Sequence, residues 1–366
     1  MSDSTRYDDF ARRIATGLGY SNAAGPTAYW PVGPSAMIAA VYALFGSDGP
    51  QRFLPVAVLN LLIGTATVGL TIHLAGRWFG PRTGLLAGLL LAIWPAQVQF
   101  TTVLNSELPM VLAMLAALAI WEARRGPDML RGGLAGLALG VAALMRPTAL
   151  LLPGVFIIAR LLRGPRRGGA VLGTVAMALG LLVVVLPWSL RNYRVFGEFV
   201  LISTNGGVNF WMGNSPGTAG GYRSPEAAAA YGGEVARDRQ LKAEALAHIR
   251  AHPGAFLKRT AIKALRLHER ESIGVAWNER GLEQAAARLS PEAVGPVIRG
   301  TKLVSNLYWW LVLALAVLGV IRLVLTRGPL TALLTAPVLI WAYFAAVHAV
   351  TVIQDRYHFA YVPCIA

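Results

Sequence analysis

Long apolar runs, several near the length a helix needs to cross a bilayer, alternate with short arginine-rich turns along most of this 366-residue chain. Runs at 55–76, 84–100, 107–123, 132–146, 148–162, 169–189, 304–322 and 331–353 predict eight membrane helices. Two of these are short and meet at Arg146-Pro147, so 132–162 is expected to be a helical hairpin broken on one face. Segment 34–46 (PSAMIAAVYALFG) is apolar but too short to span, and is expected to lie in the interface.

The polar segments complete the plan. Residues 1–50 form a first loop, 51–189 the main bundle, 190–303 a small separate domain, and 304–366 the C-terminal helices. Within the third part, 203–223 (STNGGVNFWMGNSPGTAGGYR) is rich in turn-forming residues. Residues 234–250 and 254–270 have amphipathic helical spacing with Arg and Lys on the polar face. The chain opens on SDSTRYDDFARR and closes as VPCIA begins an apolar run, so a further helix is expected before Asp3 and another after Ala366.

Arginines set the orientation. Arg77 and Arg82 share one turn, and Arg124, Arg125 and Arg131 another. Arg160, Arg163, Arg166 and Arg167 crowd a third, and Arg322 and Arg327 a fourth. These are alternate turns, so all fall on one side, the cytoplasmic one. The first loop and segment 190–303 are then extracytoplasmic, in a multi-pass protein of the cell membrane.

Composition fits lipid: 55% of residues are hydrophobic and 14% charged, against about a quarter charged in soluble domains. The net charge of +15 is mostly arginine in those turns, which is topological, and no nucleic-acid-binding motif accompanies it. The single cysteine, Cys364, excludes an intramolecular disulfide framework and any cysteine-rich zinc site. No phosphate-binding loop, dinucleotide fingerprint or serine nucleophile elbow is present.

A second set of charges sits at the opposite helix ends, where topology does not call for arginine. Asp3 has Tyr7, Asp8 and Asp9 close by. Glu107 opens an apolar helix in LNSELPMVL, where the helix dipole favours a carboxylate and Asn105 or Ser106 supplies the cap. Arg146 falls between two apolar runs, Arg191 in PWSLRNY, and Arg356, Tyr357 and His358 follow the last span. Guanidinium forks suit phosphate oxygens, with Tyr and His adding hydrogen bonds. Plainer readings exist: an acidic terminus in solvent, an arginine satisfying freed carbonyls, an aromatic belt with a basic anchor. His248 and His252 have i,i+4 spacing but read as a solvated pair, and Trp309-Trp310 as an interfacial anchor.

Taken in order, SDSTRYDDFARRIATGLGY, GPTAYWPVGPSAMIAAVYALFG, LNSELPMVL, ALMRPTALLLP, LPWSLRNYRVFGEFVLISTNGGVNFWMGNSP and QDRYHFAYVP resemble bacterial GT-C polyprenyl-phosphate-sugar glycosyltransferases. The likeness is to glycosyltransferase family 39 and the aminoarabinose transferase-like enzymes, and it is weakest across 270–300. It implies an all-α integral membrane protein, a GT-C-like bundle with a small extracytoplasmic domain. It implies an inverting enzyme that transfers a sugar from a polyprenyl-phosphate donor to a protein, lipid or glycan. Asp3 occupies the position of the family's catalytic base, and Glu107 that of a second catalytic acid. Arg146 and Arg356 match arginines near the donor phosphate, and a divalent metal is a candidate cofactor with Asp3 and Glu107 as its ligands. The alternative is a transporter or lipid flippase, which calls for charges near the bilayer midplane and internal repeats; the sequence has neither. A non-catalytic scaffold leaves the clustering of acids and arginines without a reason.

Overall fold

The computed structural model describes residues 3–161 and 167–366, with the side chains of 161 and 167–170 also outside the description. Helix α1 (Asp3–Ala15) leads through a two-residue hairpin, Ser21–Asn22 against Gly25–Pro26, to α2 (Val32–Phe45). The bundle follows: α3 (Phe53–Phe79), α4 (Pro81–Ala92), α5 (Pro95–Thr101), α6 (Glu107–Trp121), α7 (Asp128–Met145), α8 (Leu152–Leu161) and α9 (Arg167–Phe196). Five helices then fold over one end of it: α10 (Gly206–Asn214), α11 (Glu234–Ala251), α12 (Pro253–Arg266), α13 (Ile273–Trp277) and α14 (Glu279–Ala287). The chain returns through α15 (Val294–Arg327), α16 (Pro329–Leu333) and α17 (Ala336–Val350), then a 3-10 turn at Asp355–Tyr361 and α18 (Val362–Ile365).

Fewer helices than expected are full-length spans. Four described helices are long and apolar enough to cross a membrane: Pro50–Phe79, Asp128–Met145, Val171–Phe196 and Pro291–Arg327. The expected span 84–100 is instead two helices, α4 and α5, bent by 56° at their junction. Pro95 is the cause: it disfavours helical backbone at the residue before it, and Trp94 is extended with ψ 120°. Glu107–Trp121, Pro147–Arg160 and Ala336–Val350 are apolar but shorter than a straight span, as is α2. The expected span 331–353 divides into α16 and α17, and turn-rich 203–223 contains helix α10.

Helices α7 and α9 form the tightest pair. Gly132, Gly136 and Gly140 recur every four residues and so line one face of α7. A methyl group at Gly132 would lie 1.9 Å from the carbonyl oxygen of Gly173, and one at Gly136 2.1 Å from that of Met177. Small residues let the backbones touch, which is how helices gain van der Waals contact where lipid supplies no hydrophobic drive. Leu61, Leu62, Leu86, Leu179 and Leu318 stand exposed around the outside, as lipid-facing side chains do.

The two ends of the bundle differ. Across its 18 residues α7 rises about 27 Å from Asp128 to Met145. At the Asp128 end, Arg131 and Arg160 pair with Asp128, while Arg77 donates to the Glu122 carbonyl at 2.6 Å. Arg163 and Arg166 lie outside the described residues, as does the side chain of Arg167. The other end carries Asp3, Glu107, Arg146 and Arg356.

Candidate active site

Each of those four side chains is placed by a local backbone rule. Ser4 Oγ donates to the Leu104 carbonyl at 2.8 Å, pinning the start of α1 to the loop before α6. Asp8, one helical face further on, accepts from Arg52 at 2.8 and 3.1 Å and from Tyr42 at 2.7 Å, fixing α1 to the bundle. Burial alone would raise the Asp8 pKa, but the Arg52 and Tyr42 hydrogen bonds outweigh it and leave the carboxyl below its usual range. Asn105 Oδ1 caps α6 by accepting from Leu108 N at 2.9 Å, so Glu107 is held at the first helical position. Pro147 excludes helical backbone at Arg146, which is extended (φ −147°, ψ 119°) and turns its side chain out of the run of α7. Asp355 accepts from Ser272 N at 3.1 Å and Ser272 Oγ at 2.8 Å, and so fixes the turn that carries Arg356.

The four groups form a chain of alternating charge. Arg356 Nη1 donates to Asp3 Oδ2 and lies 3.8 Å from Glu107 Oε1, while Arg146 Nη1 donates to the same Glu107 oxygen. Glu107 Oε2 accepts from Ser106 N at 3.0 Å and Ser106 Oγ at 3.2 Å. Aromatic rings frame the arginines: Arg356 lies 4.8 Å from the Trp277 ring centroid, and Arg146 5.0 Å from that of Tyr357. Tyr357 in turn stacks on His348 at 4.2 Å. Burial disfavours the charge on Arg356, but Asp3, Tyr357 and Glu107 outweigh it and hold the guanidinium above its ordinary pKa. The buried Tyr7 hydroxyl, beside Asp3 and Glu107, is likewise pushed up, so it stays protonated.

Exposure separates the two acids. The Glu107 side chain is 2% exposed and accepts hydrogen bonds at both oxygens, whereas Asp3 is 17% exposed. Asp3 can meet an incoming group; Glu107 is sealed. Beside them is a cavity of about 390 Å³ lined by Ser4, Thr5, Asn60, Thr102, Leu104 and Trp277 among others. Trp277 is shared between this cavity and the face of Arg356.

Residues 30–190 match the dolichyl-phosphate-mannose-protein mannosyltransferase family. Among solved structures, an oligosaccharyltransferase from Archaeoglobus fulgidus, crystallised with zinc and sulfate, is similar at 15% identity and a TM-score of 0.51. The match covers 98% of this chain and 44% of that one. ArnT from Cupriavidus metallidurans is similar at 18% identity when bound to undecaprenyl phosphate, with a TM-score of 0.47 over 95% of this chain and 72% of that one. Its apo form gives 19% identity and a TM-score of 0.44 over 99% of this chain and 73% of that one. A search of curated proteins found no match.

The chain shares the fold of the archaeal oligosaccharyltransferase.

Two residues expected at this site stand elsewhere. Arg191 donates to the Thr27 carbonyl at 2.8 Å and the Tyr20 carbonyl at 2.7 Å, clamping the small hairpin onto α9. His358 is fully buried, 3.1 Å from Glu271 Oε1 and stacked 4.0 Å from Trp309. The 3-10 turn explains it: at three residues per turn, position 358 points away from position 356. Trp309 is accordingly a core residue, not an interfacial anchor; its neighbour Trp310 is the exposed one of the pair.

Tyr7 follows Asp3 by one turn of α1 and lay in view, whereas Trp277 and His348 were not legible as parts of the site, because they reach it only through packing against Arg356 and Tyr357. A metal does not suit this donor set. Asp3 and Glu107 are each engaged by a guanidinium, and no group of three His, Cys, Asp or Glu gathers among the described residues. His248 near the end of α11 and His252 just past it lie with ring centroids 4.9 Å apart, without a third ligand of that kind among the described residues.

Proposed function

We propose that the chain transfers a sugar from a polyprenyl-phosphate donor to an acceptor at the extracytoplasmic face of the cell membrane, with Asp3 as base. The observation that carries this reading is the alternating chain Asp3–Arg356–Glu107–Arg146, in which one carboxylate is reachable and two guanidiniums are pre-set. Asp3 takes the proton from an acceptor hydroxyl or amine as that atom bonds to the anomeric carbon. The bond from that carbon to the phosphate oxygen breaks, and polyprenyl phosphate leaves with the electron pair. Direct displacement inverts the anomeric configuration.

Arg356 and Arg146 stabilise the charge that grows on the departing phosphate. Arg356 Nε, buried and without a hydrogen-bond partner among the described residues, is a donor left over for a ligand. Glu107 is a positioning residue that holds both guanidiniums in register. Its charge is also why the site does not repel itself when no donor is bound. The family match over 30–190, whose name specifies a dolichyl-phosphate sugar, supports a donor of this class. The basic end around Asp128 is the cytoplasmic one in this reading, and segment 190–303 covers the site from outside.

Membranes carrying the full chain, incubated with radiolabelled polyprenyl-phosphate sugars, test the proposal. Asp3→Asn is expected to abolish label transfer while the protein stays folded and inserted. Normal transfer by that variant removes Asp3 from the mechanism.

A further inference from the structure

We infer that Lys263 is a positioning residue for the Arg356 guanidinium, its buried ammonium anchoring the backbone from which Arg356 projects. Lys263 is fully buried on the inner face of α12, and no carboxylate pairs with it among the described residues. Its Nζ donates instead to the Thr351 carbonyl at 2.7 Å and the Gly213 carbonyl at 3.2 Å, with Asn214 Oδ1 and the Val350 carbonyl at 3.4 Å. These acceptors lie at the C-terminal ends of α10 and α17, where carbonyls lack helical partners and the helix dipole favours a cation. Burial and the nearby Arg259 draw the lysine pKa down to about 8, which leaves the ammonium charged at neutral pH.

The chain packs closely around this ammonium. A methyl group at Gly213 would lie 1.7 Å from the Thr351 carbonyl oxygen, and one at Gly220 2.6 Å from the Lys263 side chain. Asn214 Nδ2 donates to the Val350 carbonyl at 2.8 Å, and Ile353 N to the Gly220 carbonyl at 3.0 Å. Thr351, Ile353 and Asp355 are therefore tied in turn to Lys263, Gly220 and Ser272, and Arg356 is the next residue. All three ties come from the segment folded over the bundle. Lys263 is the one that is charged and joins three helices at a single atom.

The experiment uses the full chain in lipid nanodiscs and Lys263→Met, which keeps the apolar stem and removes the donors. Hydrogen–deuterium exchange should accelerate about tenfold across 351–357, with α3 and α9 unchanged, the scale of losing one hydrogen-bonded charge. The Kd for undecaprenyl phosphate, read by tryptophan fluorescence, should rise about tenfold. Lys263→Gln, which retains two donors, should fall between; it carries the same measurements if the methionine variant does not fold. Wild-type exchange across 351–357 overturns the inference, as does equal acceleration in α3 and α9. The binding half rests on the phosphate role proposed for Arg356, which Arg356→Gln tests separately. If Arg356→Gln binds undecaprenyl phosphate like the wild type, that role fails, and exchange alone decides the case of Lys263. If Arg356→Gln loses binding but Lys263→Met keeps it, the positioning inference is overturned.

Discussion

Arg356 donates to Asp3 across 353 positions of sequence, closing the chain's two ends onto one site. The contact does two things at once. It fixes a partly exposed carboxylate beside a cation, and it places that guanidinium 3.8 Å from the sealed Glu107. A base without a fixed cation beside it would have to find its geometry after the donor arrives. With Asp3 as the base proposed above, that ordering is complete before binding, which is where positioning contributes to rate.

Glu107→Gln should separate structure from chemistry at this site. The side chain is 2% exposed and faces two guanidiniums, so neutralising it leaves buried positive charge uncompensated. Breaking a buried pair in this way costs roughly 3–5 kcal/mol. Thermal unfolding of the purified variant should show that loss, whereas Asp3→Asn should unfold nearly as the wild type does. Equal unfolding temperatures for Glu107→Gln and wild type would contradict the positioning role.

Acid should loosen α1 through Asp8. Its folded pKa is lowered, so its contribution is fully present above the ordinary carboxyl value of about 3.9 and is lost as pH falls through the folded value. Asp8→Asn removes both the Arg52 pair and this slope. Unfolding temperatures followed from pH 6 downward should fall more steeply in the wild type than in the variant as the carboxyl titrates. Parallel curves would mean that Asp8 contributes nothing that depends on its charge.

The sequence made the charged ends of the helices legible because apolar length and arginine placement are local signals. Asp3, Glu107, Arg146 and Arg356 all carried that signal, as did the break at Arg146-Pro147. The miscounted spans have a local cause too: Pro95 bends 84–100, and composition over a window does not register one backbone angle. Arg191 and His358 looked equivalent to their neighbours because a position at a helix end does not say which way the side chain turns. Trp277 gave no signal at all. Its element, α13, is five residues long and reaches Arg356 only through tertiary packing.

Gly136→Leu should split the α7–α9 pair. The Met177 carbonyl lies 2.1 Å from where a first side-chain carbon would sit, and the obstacle is backbone, which has little room to yield. Overpacking costs typically about 1–3 kcal/mol where a core can adjust, and this contact should exceed that range. The measurement is the yield of folded protein in detergent. Gly133→Leu provides the control, since a first side-chain carbon there meets nothing within 4 Å among the described residues. Similar yields for the two variants would show that the glycine stripe is incidental.

Arg191 and Arg356 invite a direct contrast, because they share a residue type and a helix-end position yet sit in different surroundings. Arg356→Lys keeps the charge but loses the planar fork that spans Asp3 and faces Trp277. It should raise the KM for a polyprenyl-phosphate sugar about tenfold or more, the scale of one charge-assisted hydrogen bond. Arg191→Lys loses one of two carbonyl contacts that hold the 20–27 hairpin, and should leave that KM within about twofold while lowering the unfolding temperature. Kinetics of both variants across donor concentration, with unfolding measured on the same preparations, decide between them. A KM increase in Arg191→Lys equal to that in Arg356→Lys would return Arg191 to the donor site, against the geometry that ties its guanidinium to Thr27 and Tyr20.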